Sequence, residues 1–171
     1  MPSTEIYGST IFNRIRVGDY RYMRQQYSDY DRQVCDEPSR DEAINWLTSA
    51  GYTLVVDEGW KDYDLMFIKN GIYVKVEIEC KRSWTTCFIP NDYHIPKRKE
   101  HQSSDMFICF NANRTQAFVV RGDVVRNSCI ISKDTICQHD PSKNTENEEF
   151  FSVDIKKGQF WRKDGKRWIR Q

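Results

Sequence analysis

Charged and apolar side chains alternate through the segment DYDLMFIKNGIYVKVEIECKRSW, residues 62–84. Two aspartates precede its first apolar run, and Glu77, Glu79 and Lys81 occupy every second position of its second run. Carboxylates that share one face of a sheet repel one another unless a cation neutralises them. Oxygen ligands of this kind suit Mg²⁺ or Mn²⁺, and a neighbouring lysine can stabilise a charged nucleophile or a phosphate oxygen. The residue types therefore indicate a divalent-metal site.

The same segment predicts the element that positions these groups. Its Asn-Gly dipeptide, residues 70–71, favours a two-residue type I′ turn between two strands. That register places Asp64 opposite Glu77 and Asp62 opposite Glu79. Asp64 is the preferred metal ligand, because it opens the apolar run LMFI and is held by a buried strand. Side chains alternate across a strand, so we expect one apolar face and one face that carries Asp62, Asp64, Lys75, Glu77, Glu79 and Lys81.

The rest of the chain predicts mixed α and β structure. SRDEAINWLTSAG indicates a helix in which Ser39 is the N-cap, Glu42 completes a capping box and Gly51 ends the helix. A short helix is expected to begin near Pro96. Further strands are predicted at YTLVV, MFICFN, QAFVVRG, CIIS, FFSVDI and QFWRKDGKRWIR.

Composition bounds the class of protein. A chain of 171 residues with 39% hydrophobic and 13% aromatic content can build one core, so we expect a single domain. A formal net charge of +1 excludes any argument from overall basicity. The six cysteines form no CxxC pair, which favours reduced thiols, and no apolar run has membrane-spanning length. We expect an intracellular, cytoplasmic protein without a membrane partner, of cellular, viral or phage origin.

Asp64, the hairpin and the triplet Glu79-Cys80-Lys81 together resemble the PD-(D/E)xK nuclease superfamily. The resemblance covers about residues 39–121, and the proline that often precedes the aspartate is absent. It implies an α/β fold with a restriction-endonuclease-like core, in which helices flank a mixed β-sheet. HIPKRKEHQSSDMFICFN is similar to the helix and strand that follow the motif in that family. Residues 1–38 would then be an N-terminal extension and 150–171 a basic C-terminal β-hairpin.

The resemblance also implies roles for individual residues. Asp64 and Glu79 would bind Mg²⁺ or Mn²⁺ together with the carbonyl of Cys80, and Lys81 would position or activate the attacking water. Glu42 would match the acidic residue that the first helix often adds, although a capping-box glutamate needs no metal. A solvated sheet face with cross-strand ion pairs is the alternative to the whole set.

Basic and aromatic residues near the motif and at the C-terminus are candidates for nucleic-acid contacts. Phosphate contacts come from clustered cations, and aromatic side chains can stack on bases. The last sixteen residues carry seven lysines and arginines against one aspartate. The nucleic-acid-binding candidates are Arg82, Trp84, Lys97, Arg98, Lys99, Lys163, Lys166 and Arg167.

These observations predict a Mg²⁺-dependent endonuclease that hydrolyses phosphodiester bonds, with DNA expected from the resemblance alone. A phage or mobile-element enzyme, a junction resolvase and a repair enzyme all fit, and cleavage of both strands would favour a homodimer. An RNA endonuclease and a non-catalytic nucleic-acid-binding module are the alternatives. A protein that keeps the fold only for interactions is a third class.

Overall fold

The structure, a computed structural model, describes residues 32–57, 63–82, 84–85, 92–97, 103–135 and 145–171. Over half of these residues lie in strands. The helices among them are α1 (Glu37–Ser49) and the short α2 (Gly122–Arg126). The strands are β1 (Thr53–Asp57), β2 (Leu65–Lys69), β3 (Ile72–Lys81), β4 (Asp92–Pro96), β5 (Met106–Asn111), β6 (Gln116–Arg121), β7 (Cys129–Thr135), β8 (Thr145–Asp154), β9 (Gln159–Asp164) and β10 (Arg167–Arg170).

Helix α1 forms as predicted but begins earlier than expected. A π-helical turn, Arg32–Asp36, leads into it, and Asp36 is an N-cap without a side-chain capping bond. The predicted capping box is therefore wrong, because Ser39 is buried inside the helix. Its Oγ has no hydrogen-bond partner among the described residues. Gly51 has φ +85° just beyond the helix, a conformation that favours glycine, so the predicted stop is confirmed.

The hairpin of β2 and β3 has the predicted turn and register. Asn70 and Gly71 adopt φ values of 52° and 78°, as a type I′ turn requires. Lys69 pairs with Ile72, and Leu65 pairs with Val76. The alternation of side chains along the two strands is thereby fixed from the turn outwards.

Seven strands form a large mixed sheet in the order β1-β2-β3-β5-β6-β9-β10. β3 and β5 are parallel, and the other neighbouring pairs are antiparallel. A second sheet has the order β4-β8-β7, with both pairs antiparallel. Of the small sheet, β4 lies in the chain that links the parallel strands β3 and β5, whereas β7 and β8 lie between β6 and β9.

Two apolar clusters hold these layers together. The helix-side core joins α1 to one face of the large sheet and contains Trp46, Leu47, Leu65, Phe67, Val76, Ile108 and Phe110. The inter-sheet core joins the other face to the small sheet and contains Tyr93, Ile95, Phe107, Cys109, Phe118, Phe151 and Val153. Successive residues of β5 alternate between the two clusters, so this strand is buried on both faces.

The expected α/β fold with a restriction-endonuclease-like, helix-flanked core is wrong. Within the described ranges α1, with 13 residues, is the one helix of more than five residues. A β-sheet, not a helix, covers the opposite face of the large sheet. The physical reason lies in β4, where Tyr93 and Ile95 are buried two residues apart, as the period of a strand requires. Pro96, which was expected to start a helix, ends this strand, and residues 98–102 lie outside the described residues.

The structure describes part of the two predicted end segments, residues 1–38 and 150–171. Residues 1–31 of the expected N-terminal extension lie outside the described residues. The C-terminal hairpin consists of β9 and β10, whereas residues 150–154 belong to β8 of the small sheet. In the described part of the chain, no helix has both the length and the apolar composition that a bilayer crossing requires.

Candidate functional site

Asp64 lies at the end of the hairpin, immediately before β2, and its carboxylate reaches across to β3. Its Oδ2 accepts a hydrogen bond of 2.7 Å from the backbone N–H of Ile78. Its own N–H donates to the carbonyl of Val76 at 3.1 Å. The carboxylate therefore sits beside the residue that precedes Glu79. Asp62 lies outside the described residues, so the choice between the two aspartates stays a prediction.

A guanidinium group from α1 contacts this carboxylate. Arg40 Nη1 lies 3.5 Å from Asp64 Oδ1, and Arg40 Nη2 lies 3.4 Å from the Asp64 carbonyl. The same guanidinium also pairs with Asp57 at the end of β1. Arg40 thus neutralises Asp64 and ties the helix to the start of β2. The sequence does not predict this contact, because β1 separates α1 from Asp64 along the chain.

Tyr93 and Lys81 both contact Glu79. Its Oε2 accepts a hydrogen bond from the hydroxyl of Tyr93, which β4 contributes from the small sheet. Lys81 Nζ lies 3.2 Å from the same oxygen and 5.2 Å from the centre of the Tyr93 ring. Burial, followed by the nearby Cys109 and Glu79, raises the pKa of Tyr93 well above 10.0, so its hydroxyl stays a donor. Tyr93 was also missed, because the polar segment before it did not predict a strand.

Asp64, Glu79 and Lys81 form what we call the carboxylate site. Glu79 and Glu77 lie on the face of β3 that also carries the inter-sheet core, since they pair with Cys109 and Phe107 of β5. Glu77 is only 5% exposed. The expected charged face is thus roofed by the small sheet over part of its length rather than open to solvent. The side chains of Asp64 and Glu79 are 20% and 13% exposed, so solvent reaches both.

The donor atoms of the carboxylate site suit a hard divalent cation. Asp64 and Glu79 would supply two carboxylates and Cys80 a main-chain carbonyl, the kind of oxygen ligands that Mg²⁺ combines with several waters. The thiol of Cys80 points elsewhere, since its Sγ lies 3.8 Å from the carbonyl of Asn111. Among the described residues, no group of three or more His, Cys, Asp and Glu side chains is arranged to hold a metal. Metal ligation by these residues stays a prediction.

Glu42 binds the C-terminal hairpin. Its Oε2 accepts a hydrogen bond of 2.6 Å from Lys163 Nζ, and its Oε1 accepts one of 2.9 Å from Trp168 Nε1. Trp168 also stacks on Trp46 of α1, with ring centres 4.5 Å apart. These contacts account for a half-buried carboxylate without a metal, and a catalytic role for Glu42 remains an expectation only.

The candidates for nucleic-acid contacts are spread over several elements. Trp84 packs edge to face on Tyr93, with ring centres 5.7 Å apart, and Lys97 pairs with Glu149 at 2.8 Å. Arg98 and Lys99 lie outside the described residues. Arg82 is exposed just after β3, and Lys166 and Arg167 are exposed around the turn between β9 and β10.

A polar network lies on the face of the small sheet opposite to Tyr93. Lys133 Nζ lies 2.8 Å from His94 Nδ1, and His94 Nε2 lies 2.8 Å from Asp92 Oδ2. Ser152 donates a hydrogen bond to the same aspartate oxygen. Asp92 lies on the same strand as His94, whereas the contact with Lys133 could not be found in the sequence, because Lys133 lies 39 residues further along the chain.

Neither a known protein family nor a curated protein matches the chain. Inferences about its function therefore start from the geometry of the carboxylate site and of its neighbours.

Proposed function

We propose that the protein is a metal-dependent nuclease that hydrolyses phosphodiester bonds at the carboxylate site. One observation carries this proposal. The bond from Ile78 to Asp64 and the ion pair of Lys81 with Glu79 bring two carboxylates and a lysine to the same end of β3. An acidic pair beside a lysine is the combination that metal-assisted phosphodiester hydrolysis uses.

Each residue has a defined task in this proposal. Asp64 and Glu79, with the carbonyl of Cys80, hold Mg²⁺ or Mn²⁺. The bound ion would neutralise charge on the scissile phosphate and lower the pKa of its water. Lys81 places a positive charge next to the attacking water, and the Tyr93 hydroxyl fixes the orientation of Glu79.

Fewer observations support the choice of substrate and the location of the protein. DNA is preferred to RNA only because the motif resembles that of the PD-(D/E)xK nucleases. An intracellular, cytoplasmic location agrees with the free cysteines Cys35, Cys80, Cys109 and Cys129 among the described residues. A host or phage origin and a homodimer with two sites both agree with the proposal, and exposed cations near the site would contact phosphates.

Cleavage assays with single-site variants test the proposal. We expect the wild-type protein to cut DNA in Mg²⁺ or Mn²⁺ but not in EDTA. Glu79→Gln and Lys81→Met should each lower the rate by about a hundredfold or more. Lys75→Met is the matched control, since Lys75 lies on the same strand and donates to Ser103 at 2.9 Å instead. Wild-type cleavage by either site variant, or equal losses in Lys75→Met, would contradict the assignment.

A non-catalytic nucleic-acid-binding protein is the second candidate. The contacts of Arg40 with Asp64 and of Lys81 with Glu79 favour it, because they neutralise both carboxylates without a metal. In that case nucleic acid would bind equally well in EDTA and in Mg²⁺, and no condition would yield cleavage.

A further inference from the structure

The C-terminal hairpin carries cations that no carboxylate neutralises within the described part of the chain. Arg162, Lys166 and Arg167 are exposed, and no ion pair joins any of them to a described residue. Lys163 differs from them, because its ammonium group binds Glu42 of α1 at 2.6 Å. Outside the last sixteen residues the chain has more acidic than basic residues, although its formal net charge is +1. Positive charge is therefore concentrated on this hairpin.

Strand alternation places two of these cations on one face of the large sheet. Phe160 packs against the inter-sheet core and Trp161 against the helix-side core, so Arg162 lies on the face of the inter-sheet core. Ile169 of β10 pairs with Arg162 and shares this face. Arg167, two residues before Ile169, lies on the same face.

The sheet register aligns Arg162 with Lys81 of the carboxylate site. Lys81 follows Glu79 by two residues, so it also lies on the face of the inter-sheet core. It pairs with Asn111 of β5, and Gln116 of β6 pairs with Arg162. The N–H of Gln116 donates to Asn111 Oδ1 at 2.9 Å, which joins the two pairs in one row across the sheet. Three strand spacings of about 4.8 Å place the backbones of Lys81 and Arg162 about 14 Å apart.

The charge at the hairpin end of this row suits a polyanion. Ile169, next to Arg162, is 46% exposed, so the described residues leave this end open to solvent. Asp164 is the one carboxylate of the hairpin and lies opposite Arg167, so three exposed cations leave a net positive charge around it. Each strand of a DNA duplex carries one phosphate for about every 3.4 Å of rise, so about four phosphates span 14 Å.

We propose that Arg162, Arg167 and the turn residue Lys166 bind the sugar–phosphate backbone of the nucleic acid whose scissile phosphate lies at Lys81. The inference rests on the nucleic-acid substrate of the proposed function, but it does not require hydrolysis. The bound strand would run along the row from β3 to β9, past the turn between β5 and β6. The hairpin would thereby hold the strand in place at the carboxylate site without reading its sequence.

Binding measured without metal tests this proposal. The probe is a short fluorescent DNA duplex, titrated by anisotropy in EDTA over a series of salt concentrations. An RNA duplex of the same sequence is titrated in parallel and shows which nucleic acid binds more tightly. We expect Arg162→Gln to weaken binding several-fold and to reduce the slope of log Kd against log salt by about one unit. Arg162→Lys should keep both values near those of the wild type.

Arg170→Gln is the matched control on the same hairpin. Arg170 is exposed like Arg162, but it pairs with Trp161 and so lies on the opposite face of the sheet. Its loss should leave binding and the salt slope unchanged. Asp164→Asn should bind more tightly than the wild type, because it removes the negative charge between the cations.

Each outcome bears on the proposal. Weaker binding and a smaller slope for Arg162→Gln but not for Arg170→Gln support it. Wild-type binding by Arg162→Gln, equal losses in Arg170→Gln, weaker binding by Asp164→Asn, or no salt-dependent binding of either duplex by the wild-type protein would overturn it. Lys166→Gln is measured in the same way, so that a decision remains possible if Arg162→Gln does not fold.

Failure of this inference can be told apart from failure of the proposed function. Binding that depends on Arg162, without cleavage in any metal, would leave this inference standing and count against the nuclease. Cleavage at the carboxylate site with binding that ignores Arg162 and Lys166 would overturn this inference alone.

Discussion

Arg40 has a position that the sequence pattern could not reveal. It lies in α1, yet its guanidinium contacts Asp64 and Asp57 at the ends of two strands. Lys81, in contrast, was foreseeable, because strand alternation places it on the same face as Glu79. The local pattern thus predicts groups on one hairpin, whereas the cation that α1 adds depends on tertiary packing.

Removing Arg40 should make the protein depend on a divalent cation, if the carboxylate site binds one. Arg40→Gln leaves Asp64 without this guanidinium, and we expect a loss of about 1 kcal/mol in metal-free buffer. Mn²⁺ should then raise the melting temperature more in Arg40→Gln than in the wild type, because the ion and the guanidinium neutralise the same carboxylate. Differential scanning calorimetry with and without Mn²⁺ measures this.

Arg121→Gln is the control for that comparison. Arg121 also pairs with an aspartate, Asp123, but its side chain is 78% exposed, so the loss should be negligible. The response of Arg121→Gln to Mn²⁺ should equal that of the wild type. Identical Mn²⁺ responses in Arg40→Gln and the wild type would show that Arg40 does not compete with a metal.

Cys109 should make the protein less stable at alkaline pH. Its burial, opposed in part by Lys81, raises the pKa of the thiol from 9.0 to about 12. The unfolded thiol ionises above its ordinary pKa while the folded one stays protonated, so stability falls as the pH rises. When the pH is raised from about 8 to about 10, the free energy of unfolding should fall by about 1.4 kcal/mol less in Cys109→Ala than in the wild type.

Urea unfolding at the two pH values measures this difference. Cys129→Ala is the control, because Cys129 is exposed, and its alkaline loss should match that of the wild type. Parallel pH dependence in Cys109→Ala and the wild type would contradict the effect of burial on this thiol.

At the scale of elements, the two-residue turns made the hairpins predictable. Asn70-Gly71 fixed the register of β2 and β3 from local chemistry. β4 was not predicted, because it pairs with β8 some 60 residues later and its neighbours KRKE suggested a helix. A strand whose partner is distant has only its own period of two as a signal, and five residues carry too little of it.

The C-terminal hairpin should contribute to stability through one side of β10. Trp168 stacks on Trp46 and donates to Glu42, so Trp168→Ala removes an aromatic contact and leaves a carboxylate with one partner fewer. We expect a loss of about 3 kcal/mol in urea unfolding followed by circular dichroism. Ile169→Ala is the matched control on the same strand. Ile169 is 46% exposed, so its loss should stay below about 1 kcal/mol, and equal losses would contradict the anchoring role of Trp168.

At the scale of the whole molecule, the inter-sheet core joins the two sheets. Phe118 of the large sheet contacts Tyr93 of the small sheet, with ring centres 5.6 Å apart. The chain passes from β8 to β9 directly above this ring, and a Cβ at Gly158 would lie 2.3 Å from Phe118 Cζ. Because the backbone lies so close to the ring, the packing of the two sheets at this crossing requires a residue without a side chain.

A methyl group at Gly158 should therefore destabilise the protein through packing alone. Gly158 has φ −117°, which alanine adopts readily, so the backbone adds no strain. We expect Gly158→Ala to cost about 2 to 3 kcal/mol, because the methyl group overlaps Phe118 and the carbonyl of Val119. Gly71→Ala is the opposite case: a Cβ there meets nothing within 4 Å, but φ is +78°. Its cost should be about 1 kcal/mol and purely conformational.

A double-mutant cycle separates these two causes. Phe118→Leu removes the ring atoms nearest to the added methyl group, so Gly158→Ala should cost less in that background than in the wild type. Gly71→Ala should cost the same in both backgrounds, because its strain does not involve Phe118. Urea unfolding of the six proteins gives all the differences. Strict additivity of Gly158→Ala with Phe118→Leu would mean that the crossing does not rest on this ring, and that the sheets are joined elsewhere in the inter-sheet core.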